Sequence, residues 1–365
     1  MFRFHVVQAE FGDCLMLEYG AAAQPRFTLI DGGPPSNYDT NLAPVLKDLA
    51  KQNTPLDLAV LSHVDNDHVV GLVDYFAELQ AGATGLPRPK ELWHNSWGRT
   101  IDPQGVIAPR IAALMTLNRT AAMPTATNAV LGIKEGNSLR TKAKQLNIPI
   151  NAAFPNGDLI TVGGAGQPVQ LGNLRLQVVG PTQKNLDRLR QDWIAWIDKH
   201  EDEVESDDVT IMANSDRSVP NLSSIVLVAE AEGKSILLTG DGRSDHLLEG
   251  LEEAGRLDGD GKFHVDILKL AHHGSERDVT REFFERVTAD TYVASANGRD
   301  GNPDLPTLGW IADTARESGR DIAIVVTNRT PSVTQFEKEF PAGTFPYRLT
   351  LMPKGDHVLV LTLAA

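Results

Sequence analysis

The chain has 365 residues, enough to bury a large core, and its 41% hydrophobic and 22% charged residues are ordinary for a globular protein. Forty-eight acidic against 34 basic residues leave a net charge of −14, which argues against passive binding along nucleic-acid backbones, because that needs a basic face. A single cysteine, Cys14, excludes an internal disulfide, and no run approaches the ~20 apolar residues that cross a bilayer.

The opening segment, Met1-Phe2-Arg3-Phe4-His5-Val6-Val7, reads as a strand and not as a secretory leader, so a cytoplasmic location is expected. Phe11 to Leu17 is a second apolar strand, and Cys14 within it reads as a buried, inert thiol. Phe27-Thr28-Leu29-Ile30 is a third, ending in Asp31-Gly32-Gly33. Asp31 either caps a turn or orients a metal-bound histidine from behind. Leu58 to Leu61 is short and apolar throughout, as a strand covered on both faces would be. It leads into His63-Val64-Asp65-Asn66-Asp67-His68, and the residues from Val69 to Phe76 then take a helical pattern. Two imidazoles and two carboxylates packed so densely are hard to accommodate as packing. They are accommodated if all face metal ions, and this donor set suits Zn²⁺, Mn²⁺ or Fe ions. The ligands then sit at the carboxyl end of a strand, where open α/β sheets place their chemistry.

The chain from about 93 to 218 is less regular. Glu91 to Gly98 holds a strand end at His94; a helix-like stretch lies near Ile107 to Asn118, followed by an Asn/Thr/Ala-rich segment. A strand near Leu174 to Val179 precedes a helix from Gln183 to about Glu203, with Leu186, Leu189, Trp193 and Ile197 at spacings of three and four. Trp193 and Trp196 read as packing residues. The acidic run Asp198 to Asp208 reads as a solvated helix end or loop, and Arg88, Lys90, Arg99, Arg110, Arg119 and the Arg140 to Lys144 region as a positive rim. A strand begins near Ser223. Ser235 to Leu238 is another, running into Thr239-Gly240-Asp241-Gly242, where glycines let Asp241 approach a ligand closely and where one carboxylate could bridge two metals. Val265 to Leu270 ends in Ala271-His272-His273-Gly274-Ser275, a third strand-end cluster of ligands. The last fifty residues alternate as strands (322–327, 347–352, 357–363) that close a sheet at its edge. One domain, 1–365, is expected, with 93–218 as an insertion that decides substrate choice.

This series resembles the metallo-β-lactamase superfamily. Within it, the pattern is similar to the hydrolase domain of ComEC-type competence DNA-uptake proteins. The resemblance rests on Phe11-Gly12-Asp13-Cys14-Leu15, Leu29-Ile30-Asp31-Gly32-Gly33, the His-x-Asp-x-Asp-His form of the metal motif, Asn221-Leu222-Ser223-Ser224, Leu238-Thr239-Gly240-Asp241 and Leu268-Lys269-Leu270-Ala271-His272-His273-Gly274-Ser275. It spans residues 5 to 310, with a poorly matched middle. It implies a four-layer α-β-β-α sandwich of the α/β (α+β) class and two divalent metal ions, Zn or Mn. On this reading His63 and Asp65 hold one ion, Asp67 and His68 the other, and Asp241 bridges. One of the two neighbouring histidines completes the second site, His273 being favoured because a glycine follows it, and His272 then stands beside the substrate.

Two departures qualify the resemblance. The superfamily carries a histidine where this chain has Asn221, so the first site lacks a ligand that His94 could replace, unless His94 contacts substrate or simply ends a strand. The subgroup carries a histidine where Asn302 stands, and an amide donates a hydrogen bond but cannot shuttle a proton. Asp67, His272, Asn221 and Asn302 are the expected catalytic residues, and His94, Asn95 and Ser275 the expected substrate contacts. Two cations ~4 Å apart can lower the pKa of a shared water to ~7, supplying hydroxide at neutral pH. The expected function is metal-dependent hydrolysis of a phosphodiester, nucleotide or nucleic acid, with long nucleic acid disfavoured by the net acidity. The alternatives are a carboxylic ester, lactone or amide hydrolase of the same fold, or a non-catalytic metal-binding regulator. No membrane partner is expected.

Overall fold

The structure is a computed structural model that describes residues 1–100, 102, 104–105, 124–155, 159–200 and 223–363. Among the described residues, fourteen strands form two sheets. The first contains β1 (Phe2–Val7), β2 (Leu15–Ala21), β3 (Gln24–Ile30), β4 (Leu56–Leu61), β5 (Leu92–His94) and the last strand, β14 (Val358–Leu363), in the order β14-β1-β2-β3-β4-β5. The second contains β6 (Val169–Leu171), β7 (Leu174–Gly180), β8 (Val226–Ala231), β9 (Lys234–Leu238), β10 (Phe263–Lys269), β11 (Val287–Ala294), β12 (Ile322–Val326) and β13 (Tyr347–Leu351), ordered from β13 down to β6.

Each sheet divides into an antiparallel and a parallel part. The strands from β14 through β3 pair antiparallel, and β3, β4 and β5 pair parallel. Likewise β6 to β9 pair antiparallel, and β9 to β13 parallel. Parallel neighbours end on the same side of their sheet. The loops after β3, β4, β9 and β10, where the sequence concentrates its ligands, therefore emerge at the parallel ends. Every residue of β4 is buried, as a strand covered on both faces requires.

Three apolar layers account for the architecture. Phe4, Leu17 and Val60 from the first sheet meet Leu227, Ile236 and Val293 from the second. On the outer face of the first sheet, Leu29, Leu61 and Leu72 pack with residues of α1 (Ala43–Lys51), α2 (Asn66–Gln80) and α3 (Pro124–Gln145). On the outer face of the second, Leu268 and Tyr292 pack with α5 (Ser244–Glu253), α6 (Arg281–Arg286), α7 (Leu305–Glu317) and α8 (Pro331–Glu339), while α4 (Gln183–His200) precedes them in sequence. The result is helix, sheet, sheet, helix: two sheets covered by helices, consistent with the metallo-β-lactamase fold. Truncating an inter-sheet side chain such as Phe4 to alanine costs about 3–5 kcal/mol, because the cavity cannot collapse between two sheets.

One sequence expectation is revised. The two final strands do not close one sheet: β13 joins the edge of the second sheet and β14 the edge of the first, with α8 between β12 and β13. The described part of the Asn/Thr/Ala-rich segment, from Pro124 on, lies in α3, whose Leu139 and Ala143 are buried among residues of α2. Tertiary packing there overrides weak propensity. The helix expected near 107–118, Asn221 and most of the acidic run lie outside the described residues. Among the described residues no helix is long and apolar enough to cross a membrane.

Candidate metal centre

Four parallel strands deliver the site. After β3 the chain turns at Asp31, with a left-handed φ of 59°, which aims its carboxylate under the next loop. One oxygen accepts from the Ser62 amide at 2.7 Å, and the other from the Ser62 hydroxyl at 2.6 Å and from His68 Nδ1 at 2.8 Å. That bond fixes the His68 tautomer and leaves Nε2 facing inward. His63 is held similarly, with Nδ1 3.0 Å from the Ser62 hydroxyl. Asp65 is the N-cap residue of α2 but makes no capping hydrogen bond, so its carboxylate is free for another task.

The second sheet supplies the facing half. Asp241 follows β9 and is buried, its amide donating to Ser224 Oγ at 3.2 Å. After β10 the backbone reverses through three left-handed residues, His272 (φ 46°), His273 (φ 58°) and Gly274 (φ 91°). Two non-glycine residues in this region are strained. The reversal turns both imidazoles the same way. His272 Nε2 lies 3.6 Å and His273 Nε2 3.7 Å from Asp241 Oδ2. Each ring is anchored from behind: His272 Nδ1 by Asp278, His273 Nδ1 by donating to the Ser295 carbonyl at 3.0 Å.

The two halves converge on Asp241. His63 Nε2 stands 3.6 Å from its Oδ2 and His68 Nε2 3.3 Å from its Oδ1. Asp65 reaches His63 Nε2 at 3.6 Å, and Asp67 reaches His273 Nε2 at 3.5 Å. His63 Nε2, His68 Nε2, His273 Nε2 and Asp241 Oδ1 are all buried with no hydrogen-bond partner. Orphaned polar atoms are costly unless something else satisfies them. Here they point at one another with the donor types that bind divalent cations, so the residues fit a metal centre. Buried His68 and His273 form its inner side with Asp67, which is about a fifth exposed; Asp65 and His272, about a quarter to a third exposed, form an outer side with buried His63.

The electrostatics agree. Burial alone would strip the proton from His68, yet Asp241 and Asp31 outweigh it and hold its pKa well above the usual range. Against the same burial, Asp241 and Asp278 push His272 up to about 9, and Asp241 and Asp13 push His273 up to about 10. Burial works against the Asp241 carboxylate too, but the four histidines hold it well below its ordinary value. The carboxylates demand positive charge, which protons supply in the ion-free chain and cations can supply in their place.

Of the expected catalytic and substrate residues, some lie elsewhere or are spent. Asn302 donates to the His272 carbonyl at 3.2 Å, so it supports the histidine turn. Both ends of the Asn95 amide bond the Ile160 backbone, at 2.8 and 2.7 Å. Ser275 lies within the same turn, its amide donating to the His272 carbonyl at 3.0 Å and its hydroxyl accepting from the Arg277 amide at 3.4 Å. His94 is buried beside Val64 and α3, makes no ion pair with the carboxylates above, and is pushed down to about 3 by burial and then by Arg140. Lys90, expected on a positive rim, is committed to Asp57 at 2.7 Å, and Arg110 and Arg119 lie outside the described residues.

Sequence reasoning missed Asp13, Lys269, Asp278 and Ser295. Asp13 Oδ2 lies 2.6 Å from Lys269 Nζ, and Asp13 Oδ1 3.4 Å from His273 Nδ1. Burial would raise the Asp13 pKa, but Lys269 and His273 hold it below the usual carboxylate range. For two of them a signal existed: Asp13 and Lys269 are charges set in apolar runs. Gly12 was a further one. A Cβ there would sit 2.0 Å from the Asp67 carbonyl, so only glycine lets this loop press against the metal loop.

A model of the metallo-beta-lactamase superfamily matches residues 26–138, which include Asp31 and the whole His63–His68 motif. The match and the two-sheet architecture support that superfamily, whose members are usually metal-dependent hydrolases. Among solved structures, the chain is similar to the metallo-beta-lactamase fold protein YhfI from Bacillus subtilis, at 9% identity and a TM-score of 0.40, with 99% of each chain covered. It is also similar to human tRNase Z, short form, at 10% identity and a TM-score of 0.38, with 100% of each chain covered. Likeness at this level says nothing of substrate. No curated protein matches the chain.

Proposed function

We propose that this chain is a metal-dependent hydrolase of a small phosphodiester, with two divalent ions held around Asp241. The inner ion takes Asp67, His68 and His273; the outer takes His63, Asp65 and His272. The observation that carries this reading is the set of buried, partnerless ligand atoms on His63, His68, His273 and Asp241. When bound, divalent ions supply Lewis acidity, an activated water and neutralisation of charge on the reacting oxygens. The chain's own groups do the positioning. Asp31 and the Ser295 carbonyl fix the tautomers of His68 and His273, and Asp278 does so for His272. With Nδ1 held by Asp278 and Nε2 turned toward the outer position, His272 would serve as a ligand, and its partial exposure and that of Asp65 would leave the outer side open to a substrate. The motif resemblance to DNA-uptake hydrolase domains supports a phosphodiester, and the net charge of −14 supports a nucleotide-sized one over long duplex.

One observation favours a second reading, a metal-binding protein without turnover. Asn302 is engaged by the His272 carbonyl and cannot shuttle a proton. The test is the rate of the Mn²⁺- or Zn²⁺-loaded protein on bis(4-nitrophenyl) phosphate, a dinucleotide and a neutral 4-nitrophenyl ester, each across a salt series. The expected result is faster diester hydrolysis that falls gently with salt, since few phosphates are contacted at once. A faster, salt-insensitive ester reaction would transfer the site to ester or lactone chemistry. Metal binding with no turnover on the panel would favour the second reading.

A further inference from the structure

Lys269 ends β10 with its side chain fully buried. Its ammonium lies 2.6 Å from Asp13 Oδ2 and donates to the Leu270 carbonyl at 2.9 Å. A buried ion pair is a poor source of stability, because desolvating two charges offsets most of their attraction. The other oxygen of Asp13 gives the pair a clearer purpose. Asp13 Oδ1 is buried and accepts no hydrogen bond. With one ligand atom from each of His68, Asp241 and His273, an Asp13 oxygen makes a group no wider than 4.8 Å. Ligand atoms about 2.0–2.3 Å from a shared ion lie up to about 4.5 Å apart, so a slight contraction around a cation would include Asp13.

The loop is built to stay there. The Asp13 amide donates to the Asp67 carbonyl at 3.2 Å, and Ser295 Oγ donates to the Gly12 carbonyl at 2.6 Å. Ser295 thus ties the Asp13 loop and, through its own carbonyl, His273 to one residue at the end of β11.

We propose that Asp13 is a further ligand of the inner ion, and that Lys269 holds one carboxylate oxygen so that the other faces the cation. This rests on the metal-centre reading above. The inner ion then has three carboxylates (Asp13, Asp67, Asp241) and two imidazoles, a harder, more oxygen-rich set than the outer one. Such a set shifts preference from Zn²⁺ toward Mn²⁺.

Replacing one partner alone would strand the other's charge in the interior. The test therefore uses the double variant Asp13→Asn/Lys269→Met, its folding checked by circular dichroism, titrated to equilibrium with Mn²⁺ and with Zn²⁺. The expected result is a folded protein whose tightest Mn²⁺ affinity falls about 10–100-fold, with a smaller loss for Zn²⁺. A double variant that binds both metals as the parent does would overturn the proposal. The second measurement needs no variant: in a crystal structure of the Mn²⁺-loaded parent, Asp13 Oδ1 should lie within about 2.5 Å of an ion. Two bound ions with Asp13 beyond coordination distance would overturn this inference alone. A parent chain that binds neither metal would instead remove the metal-centre reading beneath it.

Discussion

The inner and outer sides of the centre share Asp241 but differ in enclosure. His68 and His273 are 0% and 4% exposed, whereas Asp65 and His272 are 27% and 31% exposed. The inner histidines are anchored to a buried carboxylate and a backbone carbonyl, while Asp65 makes no capping bond at all. A more enclosed side, open only at Asp67, would hold an ion well and admit little substrate. A more exposed side would do the reverse. On the proposed reading, two such sides around one carboxylate would let the chain retain metal on one and reach substrate on the other.

The largest effect should come from Asp241→Ala. It removes the group common to both sides, and elemental analysis should find both ions lost. Retention of full metal content would break the comparison at its root. Next, His273→Ala should empty the inner position, whereas His272→Ala should weaken only the outer one and lower turnover more than total metal content. Equal metal loss in the two variants would erase the distinction between sides. Asp31→Asn touches no ion, yet should weaken metal affinity about 10–100-fold, because His68 loses the partner that fixes its ring. Calorimetric titration would measure it.

The smallest effect is on the pH dependence of the metal-free chain. His272 and His273 sit at about 9 and about 10, above the ordinary histidine value, so their stabilisation is full below ~6.5 and is lost as pH rises through that range. Asp67 runs the other way. Burial opposes its carboxylate, but His273 and His68 lower it to about 2, so its contribution is present above ~3.9 and is lost as pH falls from there through about 2. The melting temperature in chelator should therefore peak between about pH 4 and 6.5 and decline toward about pH 9.5. Added Mn²⁺ or Zn²⁺ should abolish the alkaline decline, because the cation replaces the protons. A metal-free melting curve flat from about pH 6 to 9.5 would mean the histidines are not paired as the geometry has them.

How much of this was legible depended on whether a residue's role was local. His63 to His68 follow a short apolar strand, and a dense donor set announces itself at any depth of analysis. Asp31 and Asp241 were legible because glycines beside them mark strand ends where backbone turns sharply. The pair His272-His273 was only half legible. Consecutive side chains normally diverge, so a choice between them looked necessary. Two left-handed φ values removed that need, and strain of this kind leaves no local mark in the residue types. Asp13 was hidden differently. Its partner Lys269 is 256 positions away, and nothing in an apolar strand says which distant charge will meet it. The terminal strands were read as strands correctly, but periodicity carries no information about which sheet a strand joins.

The split of those last strands has a consequence for how the chain is made. β14 pairs antiparallel with β1, and Val358 lies opposite Val7. At a synthesis rate of about 5–20 residues per second, β1 waits on the order of 20–70 seconds for its neighbour. Until then it offers an open strand edge next to the loop that carries Asp13. The Asp13 side of the centre is thus translated well ahead of the strand that seals its edge, and metal would be captured most firmly only once β14 has paired with β1.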